Sequence, residues 1–217
     1  MKKQDVVKVF DIFHSLNPEP KGELDSTNTY TLLVAVALSA QATDVGVNKA
    51  TESLFKVVST PYDMIDLGEE RLIEYIKSIG LYKTKAKNIM LMAQQLIDLH
   101  NGEVPNDQKA LEALGGVGRK TANVVRNIAF GEPTIAVDTH LFRVSNRTGM
   151  APGKKPLQVE KALAKVIPKK YIIPSHHWLI LHGRYICKAR KPECDKCPIS
   201  KYCDYYKEKE AKLDFSD

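Results

Sequence analysis

A lysine and an aspartate with the chemistry of an active site flank one predicted helix, the lysine in its first turn and the aspartate beyond its far end. Lys120 follows the run Leu-Gly-Gly-Val-Gly-Arg and opens a helix predicted over residues 119–130, and Asp138 follows that helix in Val-Asp-Thr-His. The helix dipole disfavours a positive charge at the N-terminal end. A neutral lysine amine is a nucleophile that forms a Schiff base with a carbonyl or an opened sugar. Lys120, expected to be partly desolvated, is therefore a candidate nucleophile.

Asp138 has two compatible interpretations. Its carboxylate could stabilise a cationic transition state beside it. It could also cap the helix predicted to begin near Leu141, because aspartate is among the preferred N-cap residues. The residues alone leave both roles open.

Glycines precede the helix, and a glycine and a proline follow it. Gly115, Gly116 and Gly118 permit backbone angles that other residues resist, and their N–H groups could approach a phosphate at the helix N-terminus. The alternative is a turn that only joins two helices. Gly131 is predicted to end the helix, whose apolar face is predicted to contain Thr121, Val124, Val125 and Ile128.

The four cysteines form one cluster near the C-terminus, in the pattern C-x6-C-x2-C-x5-C. They are Cys187, Cys194, Cys197 and Cys203. Four thiolates so close in sequence suit tetrahedral zinc or an iron–sulfur cluster, and the spacing alone does not choose between them. The loop after the first cysteine carries Lys188, Arg190 and Lys191, which either contact a phosphate backbone or solvate the surface.

Composition describes a basic protein without membrane features. Among 217 residues there are 32 Lys and Arg against 26 Asp and Glu, a net charge of +6, which favours a polyanionic partner. The longest apolar run, Leu32–Leu38, is too short to span a bilayer, and the N-terminus lacks the pattern of a signal peptide. We expect a cytoplasmic protein, nucleoid-associated if prokaryotic.

Nearly every segment has helical periodicity, and no strand of convincing length appears, so the predicted class is all-α. Residues 29–38 are apolar nearly all round, which predicts a central buried helix. A long helix is predicted over residues 83–99. The lysines near its start, Lys83, Lys85 and Lys87, are assigned to a solvated face.

Several motifs together resemble the endonuclease III family of DNA glycosylases, over nearly the whole chain. They are LSAQATD at 38–44, GLYKTKA at 80–86, LGGVGRKTANVV, VDTH and the cysteine spacing. The resemblance implies a helical fold in two parts. Residues 22–132 would form a six-helix domain carrying a helix-hairpin-helix, and residues 1–21 with 133–217 a discontinuous domain around a [4Fe–4S] cluster. The active site would lie in the cleft between them.

The resemblance also implies the function and the roles of single residues. The protein would be a monomer that removes oxidised pyrimidines from damaged double-stranded DNA and cleaves the abasic site by β-elimination. Lys120 would be the nucleophile, Asp138 the essential carboxylate, and the four cysteines the cluster ligands. Gln41 and Leu81 would fill the gap left by the extruded base. Residue chemistry, and not the resemblance, predicts the further DNA contacts, which are Gly116, Gly118, Arg119, Lys188, Arg190 and Lys191.

Two alternatives belong to different classes. A relative that excises mismatched adenine or thymine would generally lack the lysine at position 120. A non-catalytic helix-hairpin-helix module would need neither Lys120 nor Asp138. One departure from the family pattern is Gly115, which replaces the usual proline and is expected to loosen the start of the turn.

Overall fold

The computed structural model describes residues 1–214, so the last three residues of the predicted discontinuous domain lie outside it. The described residues form helices and no strand, which confirms the all-α class. The helices are α1 (Lys3–Leu16), α2 (Thr29–Leu38), α3 (Asp44–Leu54), α4 (Pro61–Leu67), α5 (Glu69–Ile76), α6 (Tyr82–His100), α7 (Gln108–Glu112), α8 (Arg119–Phe130), α9 (Thr139–Thr148), α10 (Pro156–Val166), α11 (Ile172–Tyr185) and α12 (Asp204–Asp214). Short 3-10 helices cover Lys169–Tyr171, Cys194–Lys196 and Ser200–Tyr202.

The chain divides into two compact units. One is continuous, Glu23–Glu132, and contains α2 to α8. The other is discontinuous and combines Met1–Gly22 with Pro133–Asp217. No helix among the described residues is both long and apolar enough to cross a membrane.

The continuous unit is built around α2. Asn28 caps this helix in a reciprocal arrangement with Thr31, which satisfies N–H groups at the helix start. Because α2 is apolar on all sides, its neighbours bury eight of its ten residues, and α6 and α8 both pack against it. The fully buried side chains of this unit include Leu33, Leu38, Leu54, Met64, Leu72, Ile76, Ile89, Met92, Leu96 and Leu111.

The discontinuous unit joins the two ends of the chain through aromatic side chains. Phe10 and Phe13 of α1 contact Trp178 of α11, and Tyr171 stacks on Phe10. The indole Nε1 of Trp178 donates a hydrogen bond of 2.8 Å to the carbonyl oxygen of Asn17. The core of this unit therefore depends on α1, although α1 is distant in sequence from the other helices.

Candidate active site and metal centre

The glycine turn between α7 and α8 depends on one glycine in particular. Gly116 has φ +74°, and a Cβ there would lie 2.9 Å from the Cβ of Asn88. Both features exclude a side chain at this position. Gly118, the N-cap of α8, has φ −99° and open space around it. The backbone angles of Gly118 are therefore ones that other residues also adopt.

Gly115 connects the turn to α6. Its N–H donates a hydrogen bond of 2.7 Å to Oε1 of Gln95, a bond that proline cannot make. A Cβ at this position would also lie 2.8 Å from the carbonyl oxygen of Asn88. The glycine that replaces the usual proline therefore links the start of the turn to α6 by a hydrogen bond. The expected loosening of the turn stays a prediction.

Helix α8 has the predicted bounds, but its buried face differs from the prediction. It ends at Phe130, and the next residue, Gly131, caps it with a φ of +65° that suits glycine. Val124 and Val125 are buried as predicted, whereas Ile128 is 42% exposed. The buried positions are Ala122, Asn123, Val124, Val125 and Asn127. Periodicity located the helix but did not identify all the residues that its neighbours cover.

Lys120 lies in the first turn of α8 with its side chain exposed, so the expected partial desolvation was wrong. Its amine makes no hydrogen bond or ion pair within the described residues. The neighbouring residue, Arg119, forms an ion pair with Glu112, with 3.9 Å between a guanidinium nitrogen and Oε1. The lysine amine is thus available to a ligand, at the helix end next to the glycine turn.

Asp138 caps α9, as one of its two interpretations predicted. Its Oδ1 accepts hydrogen bonds of 2.8 Å from both the His140 and the Leu141 N–H groups, and the helix begins at Thr139, two residues earlier than expected. No hydrogen bond to Oδ2 is present within the described part of the chain. Oδ1 therefore stabilises the helix, and Oδ2 is available to accept hydrogen bonds from another group.

Gln41 and Leu81 share a backbone conformation that is uncommon for residues other than glycine. Their φ angles are +56° and +60°, both in the left-handed region. Leu81 immediately precedes α6, and its side chain is 63% exposed. An exposed leucine held at positive φ gains little from packing, and such strain often marks functional positions.

Lys85 is the clearest failure of the sequence prediction. Lys83 and Lys87 are exposed, as assigned, but Lys85 is only 8% exposed. Its spacing was the signal, because buried Ile89 lies one turn further along α6, and side chains four residues apart share a helix face.

The four cysteine side chains line a single cavity at the end of α11. A single zinc ion would need its sulfur ligands about 2.3 Å from one point. Among the described residues, no three His, Cys, Asp or Glu side chains are arranged to hold a single ion. The four thiols around this cavity supply the number of ligands that a [4Fe–4S] cluster needs.

Burial shifts the pKa values of several groups at this cavity. Burial raises the pKa of Cys197 to about 11 and also raises that of Cys203. Burial lowers the pKa of His182, whose Nε2 lies 3.7 Å from the Cys197 sulfur, to about 4. Because metal ligation needs thiolates, assembly of a metal centre must displace these protons.

The loop after Cys187 is held by Arg147 of α9. The Arg147 guanidinium donates hydrogen bonds of 2.6 and 2.8 Å to the carbonyl oxygens of Lys188 and Ala189. Lys188 forms an ion pair with Glu193, which leaves Arg190 and Lys191 as the exposed cations of the loop without an ion-pair partner within residues 1–214. A fixed backbone thus presents two positive charges to solvent.

Comparison with known proteins identifies the class. The family described as HhH-GPD superfamily base excision DNA repair protein matches residues 34–169, more than half of the chain. The iron-sulfur binding domain of endonuclease III matches residues 187–203. The helical fold with its glycine hairpin and these two matches define a base excision DNA repair protein of this superfamily.

Individual relatives narrow the class. Endonuclease III of Rickettsia conorii is 60% identical over 206 residues, which cover 95% of this chain and 98% of the relative. That of Escherichia coli K12 is 56% identical over 205 residues, 94% and 97% of the two chains. A solved trapped covalent endonuclease III–DNA intermediate matches with a TM-score of 0.90 at 47% identity, covering 97% and 99%. The chain belongs to the endonuclease III family.

The expected resemblance, the DNA glycosylase class and the iron–sulfur cluster are thereby confirmed. A thermostable thymine-DNA glycosylase also matches, with a TM-score of 0.82 over 95% of this chain and 97% of that chain, but at 26% identity. Endonuclease III proteins are much more similar, so the mismatch-specific and the non-catalytic alternatives are not favoured.

The cysteine cavity leads to a test by composition. Purified protein should be yellow-brown and contain iron and acid-labile sulfide in equal amounts, because a [4Fe–4S] cluster contains four of each. Cys197→Ala should lose both elements, while Ser200→Ala, which changes another residue lining the cavity, should keep them. Stoichiometric zinc after anaerobic purification would contradict the assignment.

Proposed function

We propose that this protein is a bifunctional DNA glycosylase and abasic-site lyase acting on oxidised pyrimidines in double-stranded DNA. The observation that carries the proposal is the exposed Lys120 amine in the first turn of α8, without a partner among the described residues. An amine at this position, in a chain of the endonuclease III family, is supported as the nucleophile of a Schiff-base mechanism.

In the proposed reaction the Lys120 nitrogen attacks the sugar C1′ as the glycosidic bond breaks. The base leaves with the bonding electron pair and takes up a proton. The sugar ring then opens as a proton passes from the nitrogen to the ring oxygen. The product is a protonated Schiff base, which makes the C2′ proton acidic. Removal of that proton expels the 3′ phosphate, and the strand breaks on the 3′ side.

Asp138 would contribute negative charge. A carboxylate is suited to stabilise the positive charge that develops on the sugar. Its Oδ1 is committed to two backbone N–H groups, so Oδ2 is the oxygen that we assign to this role. The two hydrogen bonds of the cap hold the carboxylate in one orientation. The negative charge is therefore already in place before the reaction, which is the preorganisation that electrostatic stabilisation requires.

The remaining assignments concern the cluster and the DNA. We propose that Cys187, Cys194, Cys197 and Cys203 ligate the [4Fe–4S] cluster, which would supply structure and DNA docking.

Gln41 and Leu81 would fill the gap left by the extruded nucleotide, offsetting part of an unstacking cost of a few kcal/mol. The DNA backbone would be contacted at two places, the hairpin (Gly116, Gly118 and Arg119) and the cysteine loop (Lys188, Arg190 and Lys191). The ion pair of Lys188 with Glu193 reduces the contribution of Lys188 to binding.

A panel of duplexes tests the function as a whole. Each duplex carries one oxidised pyrimidine, an adenine or thymine mismatch, or a preformed abasic site, and base release is measured separately from strand cleavage. We expect release of oxidised pyrimidines with cleavage at the same site, and cleavage of the abasic duplex. Base release without cleavage would contradict the lyase step, and preference for a mismatch would contradict the substrate.

Replacing Arg190 and Lys191 by alanine should weaken binding to all duplexes alike. Each neutralised phosphate contributes about −0.9 to the log–log slope of affinity against salt, so the slope should become shallower by up to about 2. The measurement is a titration at several salt concentrations.

A matched control for this variant removes two other lysines. Lys56→Ala with Lys77→Ala takes away the same charge from residues paired with Glu52 and Glu74. The control should change the slope less. A loss confined to lesion-bearing DNA would show instead that the loop reads the damage.

Gln41→Ala should slow excision from paired duplex more than from single-stranded DNA, because filling a vacated stack matters only where a stack exists. The measurement is the single-turnover rate on both substrates. Asn101→Ala is the control, since Asn101 is also exposed and also held at positive φ, +51°. Equal losses on both substrates would assign Gln41 to a pocket or to stability.

A further inference from the structure

The positive charge of the chain is concentrated in one short stretch, residues 154–170. Six lysines and one glutamate give this stretch a charge of +5, whereas the whole chain carries +6. All six lysines are exposed, and among the described residues only Lys170 has an ion-pair partner, Asp11 at 3.6 Å. The rest of the chain is therefore nearly neutral, although it contains the hairpin and the cysteine loop.

Helix α10 carries part of this charge on the side that faces away from the core. Val159 and Leu163 are buried, and the helix packs against α9. Lys161 and Lys165 each lie two residues after one of these buried positions, and 3.6 residues per turn place them on the opposite side of the helix. Like charges one turn apart repel each other, so this pair of lysines destabilises α10.

Two more lysines precede α10, where the helix dipole disfavours them. Lys155 is the N-cap, Lys154 stands directly before it, and the first turn contains no acidic residue. The dipole favours Lys165 in the last turn, but it does not account for the other two. A partner of negative charge would relieve both sources of repulsion. We call these four lysines the α10 basic face: Lys154, Lys155, Lys161 and Lys165.

The composition of the stretch favours a phosphate backbone over a protein surface as the partner. Protein interfaces are enriched in aromatic residues, Met and Arg and depleted in Lys, whereas residues 154–170 contain no aromatic residue, Met or Arg. Lysine binds phosphate as a point charge, and the commonest base-specific contact in the major groove is a bidentate one. A face built of lysine is therefore suited to bind nucleic acid of any sequence.

An anionic membrane fits this face less well. A helix that lies in a membrane interface buries its apolar side in lipid. The apolar side of α10 is already packed against α9, and Leu157 is the one large apolar side chain that is exposed within α10. The face thus offers charge without the apolar surface that insertion needs.

We infer that the α10 basic face binds a second segment of duplex DNA, whatever its sequence, while the hairpin and the cysteine loop hold the first. The inference rests on the proposed function, which assigns the lesion duplex to those two places and assigns no contact to α10. Duplex DNA is selected among polyanions because the chain belongs to a family of base excision DNA repair proteins. Holding two segments would let the protein pass from one to the other, in addition to the sliding and hopping that phosphate contacts permit.

The test counts the duplexes that one protein molecule binds. One duplex contains a tetrahydrofuran abasic analogue, which cannot be excised, and the other is undamaged and carries a fluorophore. Native mass spectrometry should show one protein with one copy of each duplex, and a fluorescence titration gives the affinity of the second step. If four lysines neutralise four phosphates, that affinity has a log–log slope against salt of about −3.6, and it should fall about a hundredfold between about 50 and 200 mM salt.

One variant combines Lys154→Gln, Lys155→Gln, Lys161→Gln and Lys165→Gln. It should lose the undamaged duplex and bind the analogue duplex with an affinity near that of the wild type. Glutamine and lysine have similar helix propensities, so α10 should be retained, and the unchanged first affinity reports a folded protein. A milder variant with only Lys161→Gln and Lys165→Gln should keep the second step with a slope reduced by about half.

The matched control removes the same charge from exposed lysines outside the face. It combines Lys3→Gln, Lys49→Gln, Lys56→Gln and Lys77→Gln. The control should keep both duplexes. An equal loss of the second duplex would show attraction by net charge alone and would overturn the inference.

Three further results would overturn it. They are a wild-type protein that binds one duplex only, a complex that contains two protein molecules, and a four-lysine variant that loses affinity for the analogue duplex. The last result would assign the face to the lesion duplex. Failure of the proposed function has a different signature, because neither binding step requires base release. A protein that held two duplexes but excised no base would refute the proposed function and leave the α10 basic face standing.

Discussion

Lys120→Gln should abolish both strand cleavage and covalent trapping, while the protein should still bind lesion-bearing duplex. A Schiff base between Lys120 and the sugar is reduced by borohydride to a permanent protein–DNA bond, and glutamine has no amine to form one. Trapped product, measured by denaturing gel, should fall below detection. The exposed position of Lys120 means that no core contact is lost with its side chain.

Folding should be unaffected or slightly improved. Glutamine and lysine have similar helix propensities, and removing a positive charge from the N-terminus of α8 relieves an unfavourable interaction of about 0.3–1 kcal/mol. Lys109→Gln is the control, because it removes another exposed lysine from the hairpin region, in α7. It should trap normally. Robust trapping by Lys120→Gln would refute the assignment and direct the search to another amine.

Asp138→Asn should reduce base excision by about 10²–10³, the usual effect of losing one preorganised electrostatic contact. Asparagine and aspartate are equally good helix caps. The side-chain oxygen of asparagine can still accept hydrogen bonds from the His140 and Leu141 N–H groups. The change at Oδ2 is therefore the informative one, because a neutral amide replaces a carboxylate oxygen. Single-turnover rates and melting temperatures together separate the two roles.

Asp107→Asn provides the matched control. Asp107 caps α7 through a hydrogen bond of 2.8 Å from the Ala110 N–H, and its side chain is exposed. The same substitution there should leave both rate and stability near those of the wild type. If Asp138→Asn were equally harmless, Asp138 would be a cap and nothing more.

The sequence predicted best what local signals determine. Helix α8 begins and ends as expected because glycines stand at both of its ends. The cap at Asp138 followed from residue type in the same way. The exposure of Ile128 and the burial of Asn127 could not be predicted, because burial depends on helices that are distant in sequence.

The candidate site shows the same division. Residue type and motif were enough to single out Lys120 and Asp138, but not to find that only one oxygen of the aspartate is engaged in the cap. The left-handed backbone of Gln41 and Leu81 has no sequence signal, since neither residue prefers it. Lys85 was assigned to solvent because lysine usually belongs there, and only the packing of α6 overrides that preference.

The positive φ angles of Gln41 and Leu81 have a consequence for how fast the protein can search a genome. Conformations so sparsely populated persist only where the surrounding structure imposes them. Gln41 and Leu81 therefore already have these backbone conformations before DNA binds. A genome presents about 10⁶–10⁹ competing sites, and a loop that had to reorganise at each one would slow the scan. If Gln41 and Leu81 have the proposed role, neither residue has to reorganise at each site. The opening of the base pair then limits the rate at which the protein inspects DNA.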